Sequence, residues 1–371
     1  MYKERIPFLD VLRGLAILLV VVSHWYPQQH AVNAVQWGEM GVDLFFVLSG
    51  FLITRMLLQA KDALDGGAAT LGSILKWFFV RRFFRIVPVY AAAVALLWLV
   101  DTYLVPKAGM YEVHGKLIWY ILPLVNVGMW LEQGWYFIAP HFWSLSAEEQ
   151  FYLIWPFCIL ITPRRWLMPG MLLAIAMAIA SNDKIGHWTG RYEMVNILTI
   201  TCVDAFGLGG FLAWWYAKPR HFPIHYCFFV LAICLTPYWM EANTRFAATF
   251  LPLRTLVSVT SCALMCIGLA YEGPNEMIGK QGGVGQLCKG IVFIGKVSYG
   301  MYVFHFPLPY AFRYGAILLG KEAAWQTLDV TAQFWLMLPV LIGLAAISYT
   351  YFELPLQRWG KRIVPGYASL A

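Results

Sequence analysis

Apolar stretches long enough to cross a bilayer recur from one end of this 371-residue chain to the other, and nothing else constrains its fold as strongly. A backbone in hydrocarbon must satisfy its own hydrogen bonds, which leaves helices or closed barrels, and runs of about 20 apolar residues select helices. The chain is 60% hydrophobic and only 13% charged, where a soluble domain carries about a quarter charged residues. Hydropathy places spans near 8–26, 39–59, 77–100, 143–162, 166–181, 194–216, 222–240, 253–271, 291–313 and 331–353. The expectation is an all-α, polytopic membrane bundle of about ten helices.

Basic residues set its direction. A net charge of +7 would suit nucleic acid, but Lys and Arg fall between the apolar segments, where they orient a membrane protein. With a cytoplasmic N-terminus, the inner segments hold Lys3, Arg5, Lys61, Lys76, Arg81, Arg82, Arg85, Arg164, Arg165, Lys218 and Arg220. Lys280, Lys289, Arg358, Lys361 and Arg362 join them, while the outer segments are poorer in basic charge. Counting Leu117–Leu131 as a span would invert everything downstream, so that stretch, with Pro123 and Asn126, reads as re-entrant or interfacial on the outer side. Both termini then lie in the cytoplasm. Residues 1–371 read as a single membrane domain with no soluble domain fused to it. The basic start and apolar run before Ala31–Ala34 imitate a cleaved leader, but Arg13 interrupts the run, and an uncleaved first span is expected. The seven cysteines mostly sit in apolar runs without metal-ligand spacing and read as core residues, so no metal is expected.

Against this background a few polar residues stand out. Arg13 and His24 interrupt the first span; eleven residues make about three helical turns, so both face one side, about 16 Å apart along the axis. A guanidinium costs at least about 2.5 kcal/mol in lipid, and an imidazole titrates near neutrality, so the pair marks a functional face. Asp43 opens the second span and could pair with an Arg or His or cap its helix. Ser49-Gly50 reads as helix packing. In RRFFRIVPVY, Arg82 and Arg85 share a face; alone they would be anchors, and as a pair they could clamp phosphate. Glu148 and Glu149 open the fourth span, and only one of two adjacent residues can face inward. His141 reads as interfacial, and Trp119, Trp130, Trp135 and Tyr136 as an aromatic belt. Ser298, Tyr302 and His305 form one stripe on the ninth span. Glu353, at the last boundary, could anchor Arg82 or Arg85.

Taken in order, Arg13-x10-His24, GVDLFFVLSGFLI, RRFFRIVPVY, WSLSAEEQFYLIWP, SYGMYVFHFPL and FELP resemble the acyltransferase 3 family of bacterial membrane O-acyltransferases. The resemblance runs from residue 5 to residue 362. It implies transfer of an acyl group, commonly acetyl from acetyl-CoA as co-substrate, to a hydroxyl of an extracytoplasmic glycan or lipid-linked saccharide. It also implies a multi-pass protein of the bacterial plasma membrane. The motif positions put donor handling on Arg13, Arg82 and Arg85 and catalysis on His24, as general base or as a covalent acyl relay, with Glu148 or Asp43 orienting the imidazole. Ser298, Tyr302, His305 and Glu353 would support the site or bind substrate. A separate periplasmic acyl-transfer partner would replace the secreted domain that some relatives carry. The competing expectation is a transporter or flippase for a glycan or small polar solute, with the same polar residues lining a path.

Overall fold

The computed structural model describes residues 6–104, 112–136, 139–191, 194–217, 227, 230, 253–270 and 283–364. Among these, every regular element is helical. The helices are α1 (Pro7–Trp25), α2 (Trp37–Asp65), α3 (Leu71–Leu99), α4 (Glu112–Ile121), α5 (Val125–Glu132), α6 (Phe142–Ile161), α7 (Arg164–Thr189) and α8 (Thr199–Tyr216). They continue with α9 (Leu253–Ala270), α10 (Gly283–Phe304), α11 (Pro307–Leu318), α12 (Glu322–Thr327), α13 (Val330–Ser348) and α14 (Leu354–Ile363). A π-helical turn, Tyr349–Glu353, joins the last two.

Among the described residues, five helices are long and apolar enough to cross a membrane: Pro7–Trp25, Trp37–Asp65, Leu71–Thr102, Gly285–Phe304 and Val330–Ile363. That makes the chain a multi-helix membrane protein. Helices α6, α7, α8 and α9 occupy four further expected positions, and α9 is apolar but shorter. The expected span at 222–240 lies almost wholly outside the described residues. The stretch 117–131 divides between α4 and α5, and neither piece is long enough to cross. It is tied down by buried amides: Gln150 donates to the Pro123 carbonyl and to Asn126 (both 2.9 Å), and Asn126 donates to Thr199 (3.1 Å).

The expected ninth span is not one helix. It breaks at His305–Phe306, and Pro307 restarts it as the first residue of α11. Proline lacks the N–H that would continue the ladder and disfavours helical backbone in the residue before it. The break leaves His305 at the end of α10, free to turn its ring towards α1.

Two close approaches hold the bundle around α1 and α2. A Cβ on Gly50 of α2 would stand 2.0 Å from the Phe206 carbonyl oxygen, and one on Gly209 of α8 2.0 Å from that of Val47. On the other flank, a Cβ on Gly295 of α10 would stand 1.8 Å from the Asp10 oxygen of α1. Small residues let membrane helices touch backbone to backbone, where dispersion is strongest. Ser49-Gly50 therefore packs as expected through its glycine. α1 and α2 run antiparallel: Gly38 lies against Ser23 and His24, while Gly41 meets Ala16.

Gly50→Ala or Gly209→Ala should accordingly destabilise the bundle by about 1–3 kcal/mol, the usual cost of overpacking. Gly343→Ala, with open space around it, should leave stability unchanged. Thermal unfolding of the purified protein in detergent measures the difference.

Candidate functional site

Four helices bring charged or hydroxyl-bearing side chains to one cavity. α1 contributes Arg13, α3 Arg82 and Arg85, α6 Ser144, Glu148 and Tyr152, and α10 Ser298, Tyr299 and Tyr302 around about 340 Å3. α2 closes it with Phe45, Ser49 and Met56 among others. Six of the sequence-predicted site residues thus meet: Arg13, Arg82, Arg85, Glu148, Ser298 and Tyr302.

The lining is cationic, with three arginines against one glutamate. Arg13 reaches Asp10 one turn earlier at 3.5 Å. Arg82 lies over the rings of Phe78 (5.8 Å) and Tyr152 (5.2 Å). Among the described residues, no carboxylate comes within ion-pairing distance of Arg82 or Arg85. Guanidinium groups grouped without full counter-charge make a receptor for phosphate, which they grip in a planar fork.

Glu148 sits at the centre. It accepts hydrogen bonds from the hydroxyls of Ser49 and Tyr152, whose oxygens lie 3.2 Å apart. Glu149, the next residue, does not line the cavity, as the 100° step between helical neighbours requires. Tyr299 donates to the Ile86 carbonyl (2.8 Å) and ties α10 to α3 beside the arginines.

His24 lies elsewhere, at the far end of α1, and it is exposed. Its Nδ1 is 3.0 Å from the Val20 carbonyl oxygen and 3.3 Å from His305 Nε2. His305 is fully buried, its Nδ1 2.6 Å from the Tyr302 carbonyl oxygen. Its own carbonyl accepts from the Trp25 indole at 2.8 Å, which pins α10 to α1. His141 completes a cluster of three imidazoles, with its ring centroid 4.8 Å from that of His305. It is buried, and neither ring nitrogen has a hydrogen-bond partner; the Val303 carbonyl faces it without reaching hydrogen-bond geometry. His141 is therefore part of the bundle interior, not an interfacial residue.

The cavity and the histidines meet at one contact. The Ser144 and Tyr302 hydroxyls are hydrogen-bonded to each other, and both reach the His141 carbonyl oxygen, at 3.1 and 3.0 Å. Tyr302 lines the cavity with its ring while its carbonyl holds His305.

Three expectations need correction. Glu148 does not orient His24: it takes the Ser49 and Tyr152 hydroxyls in the cavity, while His24 faces Val20 and His305. Asp43 does not face His24; its Oδ1 accepts from Arg254 Nε at 2.8 Å, and Arg254 also donates to the Asn196 carbonyl. Thr255 donates to Asp204 at 2.6 Å beside this pair, so Asp43 knits α2, α8 and α9 together. A buried carboxylate takes the nearest guanidinium, and that one lies 211 residues away. Glu353 does not pair with Arg82 or Arg85. The π turn carries it to the α10 side, where it accepts from Ser348 (3.2 Å) and lies against Gly300.

Sequence reasoning missed Ser49, Tyr152, Ser144, Tyr299 and His141. Tyr152 could have been found, since it stands one turn after Glu148 on the same face. Ser144 precedes Glu148 by four residues and carries the same signal. Ser49 could not, because its partner is 99 residues distant.

A family profile described as an acyltransferase domain, that of the acyltransferase 3 family, matches residues 6–352. A Staphylococcus aureus (strain COL) protein named "Putative O-acetyltransferase SACOL0978" is 28% identical over 416 aligned positions, which cover 100% of this chain and 62% of that protein. The peptidoglycan O-acetyltransferase OatA of Listeria monocytogenes is 30% identical over 189 positions, 48% of this chain and 28% of the relative. "Putative peptidoglycan O-acetyltransferase YrhL" of Bacillus subtilis is 26% identical, over 97% of this chain and 56% of its own length. The chain spans about three-fifths of the length of the curated relatives it matches along its whole course. No solved structure matches it.

The Asp43–Arg254 pair carries a stability prediction. Asp43→Ala should cost about 3–5 kcal/mol by stranding a buried cation, and Asp43→Ala with Arg254→Met should recover much of that loss. Unfolding of the single and double variants in detergent reads both.

Proposed function

The chain belongs to the acyltransferase 3 family, and from that membership and the two-ended site we propose that it transfers an acyl group, acetyl in the first instance, from acyl-CoA to a glycan hydroxyl. The observation that carries the reading is the cavity with three arginines at one end of α1 and the exposed imidazole of His24 at the other.

The donor is a polyanion, and the arginine-lined cavity is the part of the bundle that suits it. Arg82 and Arg85, free of carboxylate partners among the described residues, hold its phosphates, and Arg13 adds a third guanidinium. This end faces the cytoplasm, as the distribution of Lys and Arg requires, and the membrane is the plasma membrane. The distance of about 16 Å from Arg13 to His24 is one that an extended pantetheine arm covers. The thioester reaches His24 by displacing the contact between Ser144 and Tyr302.

His24 then acts as general base. It takes the proton of an acceptor hydroxyl arriving from outside, and the oxygen attacks the thioester carbonyl. A new C–O bond forms, the C–S bond breaks, and the imidazolium returns the proton to the departing thiolate. The products are an ester and free coenzyme, with no net proton lost or gained. Two of the relatives are named for peptidoglycan, which makes a muramoyl-type glycan the first acceptor to try.

The test uses the full chain in nanodiscs with radiolabelled acetyl-CoA and peptidoglycan fragments, following label transfer and coenzyme release. His24→Ala should lower transfer about a hundred- to ten-thousandfold, the worth of a general base, while leaving donor binding intact. Arg82→Gln with Arg85→Gln should weaken donor binding at least tenfold and change the rate from bound donor less. Full transfer by His24→Ala, or unchanged donor affinity in the arginine variant, overturns the corresponding assignment.

A further inference from the structure

His24 is useful as a base only if the nitrogen facing substrate carries the lone pair, and its neighbours decide which nitrogen that is. A carbonyl oxygen can only accept. His305 Nδ1 lies 2.6 Å from the Tyr302 oxygen, so Nδ1 carries the hydrogen and Nε2 the lone pair. His24 Nδ1 faces two acceptors at once, that Nε2 at 3.3 Å and the Val20 carbonyl oxygen at 3.0 Å. Its Nδ1 must therefore also carry the hydrogen. Nε2 of His24 is left unprotonated, on an exposed ring.

We infer that His305 is a positioning residue for His24: together with the Val20 carbonyl, the chain Tyr302 carbonyl, His305, His24 holds the outer imidazole as its Nδ1–H tautomer, and His305 supports the ring when Nε2 takes a proton. The inference deepens the proposed acyl transfer and rests on it for the direction of proton movement. His305 touches no substrate. On protonation, the one Nδ1 hydrogen of His24 stays shared between the Val20 carbonyl oxygen at 3.0 Å and His305 Nε2 at 3.3 Å, and a hydrogen bond from a charged donor is stronger than one from a neutral donor. The rings fix their own alignment. The Trp25 indole holds the His305 carbonyl at 2.8 Å, Pro307 ends the helix there, and Phe306 meets His24 edge-on with centroids 5.8 Å apart. His141, 4.8 Å from His305, excludes water from its buried side. The arrangement is the histidine–orienter logic of hydrolytic triads, with a neutral imidazole in place of the carboxylate.

The tautomer is measurable without turnover. The full chain in nanodiscs, labelled with ring-15N histidine, is studied by magic-angle-spinning NMR at a pH where its histidines are neutral, and His24 is assigned by the signal lost in His24→Gln. The inference expects a protonated Nδ1 and an unprotonated Nε2; the reverse tautomer overturns it, even in a protein that transfers acyl groups. Kinetics supply the second arm. His305→Leu should lower the rate from bound donor about ten- to a hundredfold, the worth of one hydrogen bond to a charged group, with donor affinity unchanged. His305→Gln, whose side-chain oxygen can replace the Nε2 acceptor, should recover most of that rate. A His305→Leu protein with unchanged rate, or a His305→Gln protein no better than His305→Leu, overturns the role. Absence of any transfer in the wild type, with the expected tautomer present, would instead count against the acyltransferase reading.

Discussion

Charge inside an apolar bundle governs this structure. Arg13, Arg82 and Arg85 cannot lie against lipid without a cost of at least about 2.5 kcal/mol each on the most lenient scale. The fold gathers them around one polar cavity in place of scattering them. Glu148 supplies a counter-charge, Asp10 pairs with Arg13, and the rings of Phe78 and Tyr152 take up Arg82 through their faces. Once these groups must share a cavity, α1, α3, α6 and α10 must converge on it, and α2 must close its remaining side.

Convergence of that kind needs helices that approach closely, and the glycines provide it. Gly295 brings α10 onto α1 near Arg13, and the Gly50–Gly209 contact seats α8 behind α2 on the side away from the cavity. The buried Asp43–Arg254 pair then fixes α9 to the same two helices. The polar interior thus divides by role. One set of charges is satisfied within the protein and serves the architecture, while the cavity arginines retain unused hydrogen-bonding capacity.

How far this could be read from sequence depended on distance along the chain. Most helix positions among the described residues, the shared face of Arg13 and His24, the choice of Glu148 over Glu149 for the cavity, and the stripe of Ser298, Tyr302 and His305 are all local consequences of helical periodicity. What failed was pairing. Asp43 takes an arginine from another helix, as one of its readings allows, but it does not meet His24, and Glu353 meets neither Arg82 nor Arg85, because the sequence does not say which helices are neighbours. The break at His305–Phe306 was legible in Pro307 and Pro309 but was overridden by the apolar run around them. His141 was misread because a histidine beside a span boundary is usually at the interface, and only tertiary packing buries it.

The same division bears on transfer against transport. A transporter needs a polar path wide enough for the whole solute, alternately open to each side. Here the cationic cavity and the exposed His24 are separated by the hydrogen-bonded pair Ser144 and Tyr302, backed by the buried rings of His141 and His305. On the proposed reading, a nucleotide donor held by three arginines has no reason to pass that point, since its phosphates are best satisfied where they are. A thin thioester arm does, because only its acyl end has to meet the imidazole. The narrow join that would obstruct a transported solute is therefore what the proposed transfer requires, with the polyanionic donor kept on one side and only the acyl group crossing.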